Sequence, residues 1–75
     1  MDEREWMKMF GLRIRSRMEE LEITQAELVR LSGIPQSSLS VYLRGMTEPR
    51  ITAITKLAKA LGVAPSYLVD FEVKK

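Results

Sequence analysis

Small and amide side chains cover one face of the segment formed by residues 36–44. Gln36, Ser37 and Ser40 supply hydrogen-bond donors and acceptors, and Arg44 adds a cation at the end of the segment. Side chains of these types can hydrogen-bond to the edges of DNA bases and to phosphate oxygens. The segment therefore has the composition of a helix that enters the major groove of duplex DNA.

The residues before this segment predict another short helix and a tight turn. Thr24 and Glu27 are spaced as a capping box, in which threonine is the N-cap and glutamate the third helical residue. Gly33 supplies the positive φ that ends a helix sharply, and Pro35 suits the first turn of the next helix. Two helices joined in this way form a helix-turn-helix, whose first helix crosses the phosphates while the second lies in the groove.

Apolar residues recur at helical spacing before this unit. In residues 6–21 they are separated by three and four positions, which predicts one helix, although Gly11 weakens the prediction that it is unbroken. Arg13, Arg15 and Arg17 fall off the apolar stripe, so we expect them to face solvent or a ligand.

Two further helices are predicted after the unit, over residues 51–61 and residues 65–69. The sequence thus predicts an all-α chain folded as a compact five-helix bundle, with one domain over residues 1–75 and a core over about 10–69. The tail alternates apolar and charged residues and is expected to form either a short strand or a frayed end. The residues expected to pack inward are Met7, Phe10, Ile14, Met18, Leu21, Leu28, Val29, Leu31, Ile34, Leu39, Tyr42 or Leu43, Ile54, Leu57, Ala58, Leu61, Val63 and Leu68.

Composition argues against several classes of protein. The chain has no cysteine and no histidine, which removes thiolate metal sites, disulfides and the commonest general base, and it has no nucleotide-binding glycine loop. We expect no enzyme, no cofactor and no metal. The charged N-terminus and the absence of a long apolar run favour a cytoplasmic protein without a membrane partner. The formal net charge of +2 leaves binding to nucleic acid open.

Residues 10–68 resemble the phage-repressor and Cro-like helix-turn-helix proteins, also called the XRE family. The resemblance is carried by Leu12-Arg13-Ile14-Arg15, Thr24-Gln25-Ala26-Glu27-Leu28, Gly33-Ile34, Leu39-Ser40-Val41-Tyr42-Leu43-Arg44-Gly45, Pro49 and Leu57-Ala58-Lys59-Ala60-Leu61-Gly62-Val63. It implies a lambda-repressor-like five-helix bundle that binds double-stranded DNA, usually as a two-fold homodimer on a palindromic operator.

The resemblance also implies roles for individual side chains. The residues that match base-reading positions are Gln36, Ser37, Ser40 and Val41. The residues that match or lie near backbone-contacting positions are Gln25, Arg44, Arg50 and Arg13. The alternative is that Gln25, Gln36 and Ser37 simply face water near helix starts, and that Arg13 belongs to a solvated face.

Two departures from the family pattern affect these roles. Pro35 stands where the family usually has a serine or threonine N-cap, so the start of the recognition helix is expected to differ. Met18 and Leu43 stand where the family commonly buries an arginine against a glutamate. Because both partners are apolar here, no charge is left unpaired, and such an exchange is often neutral or stabilising.

Two functions follow from this resemblance. The first is a sequence-specific transcriptional regulator of the repressor kind. The alternative is an antitoxin-type protein-interaction module that binds its own promoter and has a toxin as its protein partner. In either case we expect a two-fold contact that involves Phe71 and Val73 or the surface before the fifth helix. Such a contact would place two recognition helices about 34 Å apart.

Overall fold

The computed structural model describes residues 2–70 and forms five α-helices there. In chain order they are α1 (Glu3–Leu21), α2 (Gln25–Ser32), α3 (Gln36–Leu43), α4 (Ile51–Leu61) and α5 (Pro65–Val69). No strand occurs between residues 2 and 70. The expected all-α five-helix bundle is confirmed, and so is the helix-turn-helix within it.

Helix α1 is unbroken over its 19 residues, and it begins earlier than the apolar pattern predicts. It starts at Glu3 because Asp2 is an N-cap: the Glu5 amide donates to Asp2 Oδ1 at 2.9 Å, and the Asp2 amide donates to Glu5 Oε1 at 3.2 Å. Gly11 does not interrupt the helix. It is buried where α1 crosses α3, and a Cβ atom there would lie 2.9 Å from the Tyr42 carbonyl oxygen.

The capping box predicted for α2 is present. The Glu27 amide donates to Thr24 Oγ1 at 3.1 Å, and the Thr24 amide donates to Glu27 Oε1 at 2.8 Å. At the other end of α2, Gly33 has a φ of 77° and its amide donates to the Val29 carbonyl oxygen. These local features set both ends of α2 and the direction in which the chain enters α3.

The core lies between the five helices and contains no buried polar or charged side chain among residues 2–70. Its fully buried large side chains are Phe10, Ile14, Leu28, Leu39, Leu57, Leu61 and Leu68. Met18 and Leu43 are also buried, so the apolar replacement of the family's ion pair is accommodated within the core. Tyr42 and Leu43 both pack inward, and Ala53, which the sequence prediction omits, is buried with them.

The inward packing predicted for Leu31 and Leu21 is wrong. Leu31 is 53% exposed and Leu21 is 39% exposed. Leu28 and Val29 face the core, and Leu31 lies about 110° from the direction midway between them, since successive residues are about 100° apart on a helix. Leu21 is the last residue of α1, where the chain reverses through Glu22 in the left-handed conformation.

Arg13 and Arg17 do not face solvent or a ligand freely, which corrects a second expectation. Both are half-buried. The Arg17 Nε donates to the carbonyl oxygen of Leu61 at 2.9 Å, which ties α1 to the end of α4. Arg13 donates to the carbonyl oxygen of Tyr67, and its guanidinium lies 5.3 Å from the centre of the Tyr67 ring. Arg15 is exposed, as expected.

Phe71 and Val73, which are predicted to form part of a strand or of a contact between two copies, lie outside the described residues. Within residues 2–70, none of the helices has both the length and the apolar character needed to cross a lipid bilayer.

Candidate nucleic-acid interface

The turn between α2 and α3 is short and fixed at its centre. Ile34 is buried, and its amide donates to Ser32 Oγ at 3.1 Å. Pro35 is the N-cap of α3, with φ −59° and ψ 150°, and it makes no side-chain capping hydrogen bond. The first amides of α3 are therefore not capped by a side chain, as the departure at Pro35 predicts.

Helix α3 has one buried face and one accessible face. Leu39, Tyr42 and Leu43 are buried and anchor the helix in the core. On the accessible side, Gln36 and Ser37 are exposed, whereas Ser40 and Val41 are half-buried. These four residues occur at relative positions 0, 1, 4 and 5 along the helix, so they share a face. The structure thus brings all four candidate base-reading residues together.

A hydrogen bond links the first residues of the two helices. The Gln36 Nε2 donates to Gln25 Oε1 at 2.7 Å, so the amide at the start of α3 is held by the amide at the start of α2. This contact uses one of the two N–H donors of the Gln36 amide and leaves the other donor and the carbonyl oxygen available. Sequence analysis identified both residues but not the contact between them.

Two of the three candidate backbone-contacting arginines, Arg44 and Arg50, follow α3 in the chain. Arg44 is the C-cap of α3 and is exposed, and its Nε makes a long hydrogen bond of 3.4 Å to the Ser40 carbonyl oxygen. Arg50 is exposed and is the N-cap of α4, whose first turn has no side-chain cap. Both cationic side chains are therefore accessible to an anionic ligand.

A shallow groove of about 280 Å³ lies between the start of α3 and α4. Arg50 and Lys56 line it, together with the hydroxyl-bearing side chains Ser38 and Thr52. Lys56 and Thr52 are polar groups beside Arg50 that sequence analysis did not place at the site. Thr52 and Lys56 lie four positions apart within α4, and this spacing is the signal that would have placed these two side chains on one face of the helix.

Arg13 lies apart from these groups. Its guanidinium is engaged with the backbone and ring of Tyr67 in α5, so the structure gives it a partner inside the fold. Among the candidate residues for contact with the DNA backbone, only Arg13 has its guanidinium held against another helix of the protein.

Three carboxylates gather near the loop that connects α3 and α4. Asp2, Glu3 and Glu48 line a surface groove with Trp6 and Pro49. A hydrogen bond with Glu3, repulsion from the Glu3 charge and partial desolvation raise the pKa of Glu48 above its ordinary value. Glu48, one of these three carboxylates, lies two residues before Arg50 in sequence and carries a charge opposite to that of the arginine side chain.

Known proteins share this arrangement. A family model described as helix-turn-helix matches residues 14–68. The chain is 37% identical over 68 residues to the repressor protein C2 of Salmonella phage P22. That match covers 91% of this chain and 32% of the repressor, so the chain spans about a third of the length of the curated relative it matches.

Two solved structures are similar over most of both chains. One is the P22 c2 repressor in complex with the synthetic operator 9T, with 36% identity, a TM-score of 0.76, and coverage of 85% of this chain and 97% of that chain. The other is the restriction-modification controller protein C.AhdI from Aeromonas hydrophila. It is 32% identical, with a TM-score of 0.79 and coverage of 83% and 94%, respectively.

Proposed function

This chain belongs to the helix-turn-helix family, and we propose that it is a sequence-specific DNA-binding regulator that represses transcription. Support comes from the 37% identity to the P22 repressor C2 and from the similarity to the c2 repressor bound to a synthetic operator. None of the similar proteins above is described as an antitoxin, so that alternative gains no support from them.

The observation that carries the proposal is the hydrogen bond between Gln36 and Gln25 at the exposed start of α3. A free glutamine side chain would have to lose rotamer freedom when it bound a base, which costs free energy. Here the Gln36 amide is already held, and its remaining donor and acceptor are the pair needed for a bidentate contact with adenine N7 and N6. The pair therefore favours base recognition over a merely solvated glutamine.

The other residues on the accessible face of α3 extend this contact. Ser37 and Ser40 each carry a hydroxyl that donates to or accepts from a base edge. Val41 has no polar atom in its side chain and would favour the methyl group of thymine. The proposed base-reading set is therefore Gln36, Ser37, Ser40 and Val41.

Contacts to the phosphates would supply affinity rather than sequence preference. Gln25 stands at the N-terminus of α2, where backbone amides and the helix dipole attract an anion, and its side-chain N–H groups are not used in the bond to Gln36. Arg44 and Arg50 add two exposed cations. Arg13 is left out of this proposed set because its guanidinium already serves Tyr67.

We infer that the chain binds a palindromic site as a pair of copies and acts by binding rather than by catalysis. Ile51 is 80% exposed at the start of α4, directly after Arg50, which is unusual for a large apolar residue. The surface before α5 offers Ala64, which is also exposed. These positions and the tail are the candidate surfaces for the two-fold contact.

Selection of bound sequences from a random pool of duplex DNA tests this function. The selection is carried out with the parent chain at two salt concentrations, because phosphate contacts weaken as salt rises while base preference remains. The proposal predicts a palindromic motif whose half-sites are centred one helical turn apart, about 34 Å. Retention that depends on salt but enriches no sequence would contradict it.

A further inference from the structure

A groove connects α1 to the end of the recognition helix. It has a volume of about 220 Å³ and is lined by Lys8 and Leu12 of α1, by Leu43 at the end of α3, and by Arg44. Leu12 is 57% exposed, and both cationic residues are exposed. The exposed Leu12 side chain therefore shares this groove with two positive charges, one of which belongs to the candidate backbone-contacting residue Arg44.

The backbone holds Lys8 at this position. Gly45 has a φ of 69°, and a Cβ atom on it would lie 2.9 Å from the Cα atom of Lys8. This close approach fixes the base of the Lys8 side chain beside the residue that follows Arg44. Since only the exposed part of the side chain remains mobile, the Lys8 ammonium group stays within reach of the end of α3.

Within residues 2–70, neither Lys8 nor Arg44 forms a salt bridge with a carboxylate. The salt bridge in this part of the chain joins Arg17 and Glu20. Glu5 is one turn before Lys8, but its carboxylate accepts the Asp2 amide in the capping box. Arg4 is also one turn before Lys8 and adds a further positive charge. An anion bound between Lys8 and Arg44 would be attracted by both cations, and it would also relieve the repulsion between these like charges.

The negative end of the α3 dipole lies at the same place. No basic residue occurs in the last turn of α3, so its terminal carbonyl groups would repel a phosphate that approached this end. The recognition helix of a helix-turn-helix contacts base edges with its N-terminal residues, so its C-terminal end is the end farther from those base contacts. The Arg44 and Lys8 cations lie where they offset that repulsion.

We propose that Lys8 is a further DNA-backbone contact, which acts beside Arg44 to hold phosphates of one strand beyond the end of α3. Leu12, which lines the same groove as the two cations, packs against the apolar edge of the intervening deoxyribose. This proposal rests on the proposed function, and it extends the interface from the helix-turn-helix to the first helix of the chain.

The change Lys8→Gln tests the proposal, with Lys59→Gln as a matched control. Each variant removes one exposed lysine charge, but Lys59 lies on α4 beside Leu31 and Ala60, not beside Arg44. Binding to the selected operator is measured between 50 and 200 mM salt. Loss of one phosphate contact should reduce the slope of log K against log salt by about 0.9 per protomer.

When salt rises fourfold, from 50 to 200 mM, the affinity of the variant should fall about 3.5-fold less per protomer than that of the parent. This factor is four raised to the power 0.9, the change in slope. Preference among operator sequences should not change. Lys8→Arg should retain the parent slope, and Lys59→Gln should resemble the parent.

Phosphate ethylation provides a second readout. Ethylation of the phosphate that Lys8 contacts should weaken binding of the parent and of Lys59→Gln but not of Lys8→Gln. If Lys8→Gln matches the control in slope and in ethylation pattern while the parent still binds its operator, the Lys8 contact is wrong and the proposed function stands. If the parent selects no sequence, the proposed function fails and the Lys8 contact fails with it.

Discussion

The backbone of Gly11 lies so close to Leu43 that a Cβ atom on the glycine would be 2.6 Å from the leucine carbonyl oxygen. The two residues belong to different helices, α1 and α3, which pack directly against each other. Leu43 is the last residue of α3 and precedes Arg44. The contact therefore fixes the end of the recognition helix against the rest of the protein.

Gly11→Ala should lower the free energy of unfolding by about 1–3 kcal/mol, the usual cost of overpacking. Alanine is favoured over glycine within a helix by about 1 kcal/mol, but a backbone carbonyl cannot move aside as the end of a side chain can. Urea denaturation measures the change. Ser16→Ala, at an exposed position of the same helix, should change stability by less than about 0.5 kcal/mol. Equal stabilities of the two variants would show that α1 and α3 can separate freely.

Thr24→Ala should remove the cap of α2 and cost about 1 kcal/mol. The Glu27 amide would lose its acceptor on Thr24 Oγ1 at 3.1 Å. Thr24→Ser retains a hydroxyl at the same place and serves as the control in urea denaturation. A serine variant as unstable as the alanine variant would indicate that the threonine methyl group, rather than the hydroxyl, stabilises this end of the helix.

Arg13→Ala should destabilise the fold while leaving the salt dependence of DNA binding unchanged. Its guanidinium joins α1 to α5 through the Tyr67 carbonyl group and ring. Loss of a hydrogen bond from a charged group typically costs about 1.5–3 kcal/mol. Arg15→Ala, at an exposed position, is the control for charge. If Arg13→Ala leaves thermal stability unchanged but reduces the slope of log K for DNA binding against log salt, Arg13 contacts phosphate instead.

Glu48→Gln should raise the melting temperature at pH 7, and the gain should shrink as the solution is acidified. The pKa of Glu48 is raised in the folded state by its hydrogen bond with Glu3 and by repulsion from the Glu3 charge. A carboxyl with a raised pKa contributes stability below its ordinary pKa and loses that contribution as the pH rises through the raised value. At pH 7 the parent has therefore lost it, whereas the neutral amide avoids the repulsion.

Thermal unfolding between pH 3.5 and pH 7 measures this difference. Glu19→Gln removes a carboxylate from the other end of α1 and controls for the change in net charge. A Glu48→Gln gain that stays constant over the whole range would contradict electrostatic coupling between Glu3 and Glu48.

The helix-turn-helix is predictable from the sequence because its signals are local. Thr24 and Glu27 define the start of α2, and Gly33 defines its end, without reference to any distant residue. Gly11 shows the opposite case. Gly11 allows α1 to pack closely against α3, which is distant in sequence. Helix propensity alone therefore predicts only that this glycine weakens α1. Only the assembled bundle explains why that position has no side chain.

The arginines of α1 illustrate the same limit. Arg13 donates to a carbonyl group 54 positions away, and Arg17 donates to one 44 positions away. Helical periodicity places both off the apolar stripe but says nothing of what covers them. The prediction that Leu31 packs inward is wrong because α2 has only eight residues, and so short a pattern leaves the direction of its buried face ambiguous.

Base recognition by α3 through Gln36 is tested most directly with a series of altered operators. Parent and Gln36→Ala are compared on the selected operator and on every single-base substitution of it, at one fixed salt concentration. We expect the variant to lose about 1–3 kcal/mol of discrimination at one position of each half-site and to retain the parent's preferences elsewhere. A variant that discriminates at every position as the parent does would contradict the assignment of Gln36 to a base.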